Sequence, residues 1–260
     1  MDSMTNRERT QQVEAVVLRH SDWGEADRIL VLYTRETGKL RAIVKGARKL
    51  RSRKAGHLEP FTRVRLMLAR GRDLWIVTQA ETVDAYLSLR EDLQRIGQAS
   101  YVVELLDRYT YEEGANRQMY TLLVETLRRL AEVDDFFLTV RYYELHLLDL
   151  LGFRPELNHC VRCGQVIQPQ DQFYSTLLGG VLCPACGSRE PTARPVSMPA
   201  LKFLRHLLRS SYPEAARARV PAVTRLEMES ILQQFLTFHL ERNLNSPAFI
   251  REVRHSGSQN

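Results

Sequence analysis

The chain predicts an α+β protein of several domains: a small closed five-stranded β-barrel at the N-terminus, then a helical domain into which a four-cysteine metal module is inserted. Three observations predict it. Roughly the first eighty residues break into short runs rich in Val, Ile, Leu and aromatics. After Glu81 the apolar residues recur at spacings of three and four. The four cysteines form two C-x-x-C pairs, Cys160 with Cys163 and Cys183 with Cys186.

The strand runs are Val13–Leu18, Arg28–Thr34, Lys39–Lys45, Thr62–Ala69 and Leu74–Ala80, with turn signals at Asp22-Trp23-Gly24 and Gly71-Arg72-Asp73. Two runs alternate cleanly. Leu40, Ala42 and Val44 oppose Lys39, Arg41 and Lys45, and Val64, Leu66 and Leu68 oppose Arg63 and Arg65, so apolar side chains fill a barrel while charges point outward. The intervening GARKLRSRKAGHLEP is too polar and basic to pack and reads as a mobile loop.

Helices are expected over Glu91–Glu113, Asn116–Val133 and Asp135–Leu151, and again over Pro199–Ser210 and Thr224–Asn243. Gly114 and Gly152 stand where helices stop, and Pro155 prevents continuation. PTARPVSMP reads as a link. The expected division is a barrel over 1–83, a helical domain over 84–156 and 191–250, the metal module over 157–190 and a disordered tail over 251–260.

Each C-x-x-C pair puts two thiolates on one tight turn, and the intervening loop lets the second turn close a tetrahedron around Zn²⁺. Gly164 and Gly187 follow each pair, where a knuckle needs positive φ and close backbone approach. Disulfides would need an oxidising compartment, and a redox C-x-x-C should stand alone at a strand-to-helix junction. With four protein ligands the site is closed, and therefore structural. His159 adjoins Cys160 but is superfluous beside four thiolates.

The N-terminal residues are polar, without an apolar secretory core, and no stretch approaches the ~20 apolar residues of a membrane span. This reads as a cytosolic protein. The net charge is +6, but Arg35–Arg72 alone holds 13 Lys or Arg against two acids, a local +11 that leaves −5 for the remainder. Ordinary surfaces intersperse both signs, and a field of this size repels itself unless an anion relieves it, which points to phosphate. Anionic lipid and an acidic protein are the other partners such a block can meet. The candidate contacts are Lys39, Arg41, Lys45, Arg48, Lys49, Arg51, Arg53, Lys54, Arg63 and Arg65.

Small five-stranded barrels bind single strands by pairing a cationic groove with exposed aromatic rings. Among Trp23, Tyr33, Phe61 and Trp75, Trp23 beside Gly24 is the candidate for exposure, and Tyr33 and Trp75 read as packed. His57 has no partner at catalytic spacing, and Asp134 and Asp135 suit a helix N-cap. No P-loop, G-x-G-x-x-G, H-E-x-x-H or G-x-S-x-G occurs, which favours a binding protein over an enzyme.

VLRHSDWGEADRILVLYTRETGKLRAIVKGARKLRSR, then LEPFTRVRLML, then LLDLLGFRPELNHCVRCG running into GGVLCPACG, resemble the bacterial RecO family of DNA repair proteins. The resemblance implies an N-terminal OB-fold, a helical domain bearing the zinc module, and a non-enzymatic role as recombination mediator. It implies binding of single- and double-stranded DNA, strand annealing, contact with RecR and the single-stranded-DNA-binding protein, and help in loading RecA. Some members lack the cysteines, so the zinc it implies is a scaffold. Trp23 stands where the family more usually has tyrosine; a stacking or a packing role survives the exchange. Two rivals are a zinc-scaffolded nuclease, which would need a carboxylate cluster for a second metal, and a transcription regulator reading DNA with the module. Between Leu157 and Arg189 that module has only Arg162 and Arg189 as strong bases.

Overall fold

The computed structural model describes residues 10–49, 55–112, 114–240 and Ile250. The loop candidates Arg51, Arg53 and Lys54 and the expected tail 251–260 lie outside them. The chain forms two compact units, divided between Val133 and Asp134.

In the first unit β1 (Thr10–Trp23), β2 (Asp27–Thr34), β3 (Gly38–Val44), β4 (Arg63–Arg70) and β5 (Trp75–Asp84) close a barrel in the order β1-β2-β3-β5-β4. All five expected strands are present. β1 is longer than its apolar run because it serves two partners, pairing with β4 over Thr10–Val16 and with β2 over Ala15–Trp23. A register shift between Val17 and Arg19 bends it from one to the other. The hairpin turn falls on Gly24–Ala26, two residues later than the sequence signal, and Trp23 pairs with Asp27 as the last residue of β1.

Inside the barrel Val13, Ala15, Val17, Leu30, Leu32, Leu40, Ala42, Val44, Val64, Leu66 and Leu68 form one core. Ala47 and Leu58 belong to that core as well, so the basic loop is anchored at both ends.

The outward faces of β1 and β2 are not polar: Val16, Leu18, Ile29, Val31 and Tyr33 are all buried. Helices α1 (Leu93–Tyr109) and α2 (Arg117–Glu132) cover this wall, with the Tyr33 hydroxyl reaching Met119 Sδ on α2 at 3.4 Å. Burial on both faces explains why β2 reads as a continuous apolar run instead of alternating. Asn116 caps α2 through Met119 N at 2.9 Å. α1 stops at Tyr109, four residues before the expected end. The Thr110 hydroxyl bonds to Leu106 O, and Lys39 Nζ, from β3, donates to the carbonyls of Asp107 and Thr110, so three carbonyls at this end find side-chain donors.

The second unit contains α3 (Phe137–Leu150), α4 (Pro184–Gly187), α5 (Met198–Arg209), α6 (Tyr212–Ala215) and α7 (Ala222–Leu240), with a sheet of β6 (Gln172–Ser175), β7 (Gly180–Leu182) and β8 (Arg194–Val196) in the order β7-β6-β8. The segment read as a plain link thus supplies an edge strand. Gly152, at φ 82, ends α3 in the left-handed conformation. Asp135 lies just outside α3, accepting from Phe137 N at 3.1 Å and pairing with Arg225 at 2.6 Å. Ser197 caps α5 through Ala200 N at 3.2 Å and is itself fixed by Glu227 at 2.6 Å.

Candidate metal centre and nucleic-acid interface

The first cysteine pair sits on a tight reversal: Cys160 N donates to Gln165 O at 2.8 Å and Gly164 N to Cys160 O at 2.9 Å, with Gly164 at φ 74. The second pair is built differently. Cys183 is the N-cap of α4, Pro184 opens the helix, and Cys186 N and Gly187 N return to Cys183 O at 3.0 and 2.8 Å. Gly187 does not have the expected positive φ. Its role is close approach, since a Cβ there would collide with the ring of Phe173 on β6.

These turns bring the four sulfurs within 4.8 Å of one another. Cys163 and Cys183 Sγ are 3.9 Å apart, close to the edge of about 3.8 Å of a tetrahedron with Zn–S bonds of about 2.3 Å. Burial would raise the Cys160 thiol, but backbone N–H groups of Cys163, Cys183 and Arg162 face its sulfur and hold it down at about 6. Donors aimed at a sulfur suit a thiolate ligand. The quartet could therefore hold a metal ion. His159 lies apart, exposed and 3.6 Å from Glu156.

On the barrel, the expected cations divide into two sets. Lys39 and Arg63 stand at the borders of the covered wall, opposite Tyr33 and Val16 in the strand register. Lys39 Nζ is 2.6 Å from Asp107 on α1, a carboxylate that also receives Arg19 Nε at 2.7 Å. Arg63 Nε donates to Glu14 at 2.8 Å, and the Tyr120 hydroxyl on α2 donates to the same carboxylate at 3.0 Å. Burial would raise both acids. The bonds from Arg19 and Lys39 instead hold Asp107 below the usual carboxylate range, and those from Arg63 and Tyr120 do the same for Glu14.

The second set faces solvent. Arg41, Lys45, Arg48, Lys49 and Arg65 are exposed. Arg41 is 3.9 Å from Glu112, Arg65 3.1 Å from Glu81 and Arg48 3.3 Å from Asp22, all exposed pairs worth about 0–1 kcal/mol each. Lys45 and Lys49 have no acidic partner among the described residues. Trp23 is 58% exposed, whereas Tyr33 and Phe61 are buried and Trp75 packs on the barrel core. His57 bonds to Thr82 at 2.6 Å.

Sequence reasoning missed Arg28 and Arg48 as a pair. Arg28 begins an apolar strand and lies outside the basic segment Arg35–Arg72, yet its guanidinium reaches Asp22 at 3.3 Å and Glu59 at 3.1 Å, and Asp22 is shared with Arg48. Only the hairpin's closure brings the two together.

Two family models match: Recombination protein O N terminal over residues 8–86 and Recombination protein O C terminal over residues 90–248. The chain is similar to a protein named DNA repair protein RecO from Roseiflexus sp. (strain RS-1), 45% identical over 95% of this chain and 87% of the relative. It is similar to proteins of the same name from Desulforudis audaxviator, 43% identical over 95% of this chain and 98% of the relative, and from Pelotomaculum thermopropionicum, 42% identical over 92% and 93%.

Proposed function

The chain belongs to the RecO family of DNA repair proteins, matched across both units, and from that premise we propose that it is a non-enzymatic mediator that binds DNA on the barrel and anneals complementary strands. The observation that carries this reading is the division of the barrel's cations. Lys39 and Arg63 are committed to acids beneath the helices, while Arg41, Lys45, Arg48, Lys49 and Arg65 keep their charge at the surface of the same barrel that exposes Trp23. The loop charges Arg51, Arg53 and Lys54 extend the same segment.

Annealing on such a surface needs no covalent step. Two phosphate backbones repel, and a cationic wall that screens both lowers the cost of bringing them together, while base pairing supplies specificity and driving force. Trp23 offers a π-face to an unpaired base, an interaction worth roughly 1–3 kcal/mol that a duplex cannot make because its bases are already stacked. The reading extends to binding of RecR and the single-stranded-DNA-binding protein, to loading of RecA, and to a cytoplasmic, nucleoid-associated location. It extends also to one structural zinc ion on Cys160, Cys163, Cys183 and Cys186, which would tie two separate backbone turns together. Among the described residues no helix is long and apolar enough to cross a membrane.

The test is the annealing rate of two labelled complementary oligonucleotides against protein concentration. Moderate protein should accelerate annealing, and saturating protein should slow it because each strand then carries its own protein. Arg51→Ala with Arg53→Ala should weaken binding of all sequences alike. Every cation withdrawn from a phosphate should flatten the log-log salt slope on single strands by about 0.7. No acceleration at any concentration overturns the mediator reading. Mg²⁺-dependent strand cleavage by the purified protein would favour a nuclease instead.

A further inference from the structure

We propose that Arg28 and Arg48 form a phosphate-binding site on the barrel, and that Asp22 fills it as an internal stand-in which an incoming strand must displace. The proposal rests on the reading of this surface as a DNA site and adds how that site is regulated. Its central observation is a carboxylate shared between two elements. Asp22 Oδ1 receives Arg28 Nε at 3.3 Å from β2, and Asp22 Oδ2 lies 3.3 Å from Arg48 Nε in the turn after β3. Two guanidinium groups thus converge on one pair of oxygens. A phosphodiester presents the same pair of oxygens to the same planar donors, with its charge spread over them in the same way.

The Asp22 bridge is made to open. Both distances are long for charge-assisted bonds, and Asp22 and Arg48 are substantially exposed. Two other acid–base pairs of the barrel, Lys39 with Asp107 at 2.6 Å and Arg63 Nε with Glu14 at 2.8 Å, are shorter and more covered. Water and salt therefore compete with Asp22 more than with them.

The site also stays assembled when the carboxylate leaves. Arg28 keeps a second anchor, donating from its NH1 nitrogen to Glu59 at 3.1 Å, and Glu59 is held from its other oxygen by His20 at 3.2 Å. Arg48 keeps a bond from its NH1 nitrogen to Gly24 O at 3.3 Å. Its own N–H donates to Ala26 O at 2.9 Å, and Gly46 N donates to Asp27 at 2.8 Å, stapling the start of the basic loop to the hairpin without Asp22. Occupation by Asp22 lowers the fraction of protein competent to bind, and the apparent affinity falls by that fraction.

The experiment is anisotropy of a labelled oligothymidylate over a salt series, with wild type, Asp22→Asn, Arg48→Ala, the double variant, and Asp73→Asn as a control for net charge from another turn. Asp22→Asn should bind roughly three- to tenfold more tightly, the fold-change equivalent of releasing two exposed ion pairs, with a steeper salt dependence. The gain should fall by half or more in the Arg48→Ala background, where only Arg28 is left to be released, and Asp73→Asn should bind like wild type. Melting curves establish that each variant is folded, and Asp22→Ser replaces Asp22→Asn if that variant is not. Equal affinities for Asp22→Asn and Asp73→Asn, or an undiminished gain without Arg48, overturn the proposal. Wild type that binds no oligothymidylate at any salt overturns the DNA reading of the barrel itself, a result distinct from binding that Asp22→Asn leaves unchanged.

Discussion

Lys39 and Asp107 meet at 2.6 Å across 68 residues of chain, and through that pairing a strand lysine closes the C-terminus of a helix. The ammonium answers a half-buried carboxylate and two terminal carbonyls at once. Asp107→Ala should cost about 1–3 kcal/mol, since it leaves the covered Lys39 ammonium without its carboxylate, and Lys39→Ala should cost less, since Arg19 remains on Asp107. Arg41→Ala, one step along the outward face, should leave stability nearly unchanged and weaken DNA binding. Thermal melting beside a DNA titration of the same variants checks both.

Acid should loosen this unit. The folded-state values of Asp107 and Glu14 are depressed, so the stability they contribute is fully present above their ordinary values of 3.8 and 4.5 and is lost as pH falls through the lower folded values. Asp107→Asn, already lacking the charge, should be less stable at neutral pH and show a shallower further loss below about pH 4. Urea midpoints from pH 7 to pH 2.5 give the comparison.

Gly187→Ala should damage the cysteine module without touching a cysteine. The added methyl meets the ring of Phe173, and the strand or the second knuckle must yield. Overpacking of this kind costs about 1–3 kcal/mol. The expected result is lower metal content and a lower melting temperature, measured by elemental analysis and calorimetry, with unchanged DNA affinity in the fraction that stays folded.

Removal of zinc by a strong chelator, or Cys183→Ser, should lower solubility or melting temperature before it changes DNA affinity. One zinc per chain is expected in native protein, with proton release on reloading because the thiols must ionise. Native protein with free cysteines and no zinc would exclude the metal centre.

Trp23→Ala should reduce the preference for single strands and leave duplex binding nearly intact, by up to roughly 1–3 kcal/mol. Parallel titrations with a single strand and its duplex decide it, and equal weakening on both would assign Trp23 a structural role.

Much of this was legible in the chain. Period-two alternation in β3 and β4 fixes which face fills the barrel, because a pleated strand sends neighbours to opposite sides. The spacing of Cys160, Cys163, Cys183 and Cys186 announces two knuckles, because a turn of that length brings two thiolates to one point. What alternation cannot express is which outward residues stay outward. Lys39 and Arg41, or Arg63 and Arg65, are equivalent in the pattern, yet Lys39 and Arg63 are committed to acids under the helices while Arg41 and Arg65 face solvent. Their difference depends on α1 and α2 settling over β1 and β2, a packing between segments tens of residues apart. The same holds for Arg28 and Arg48, which share Asp22 only once the hairpin has closed against the turn after β3. Local pattern sets each strand's inner face; only the non-local docking of helices decides where the barrel's charge remains available.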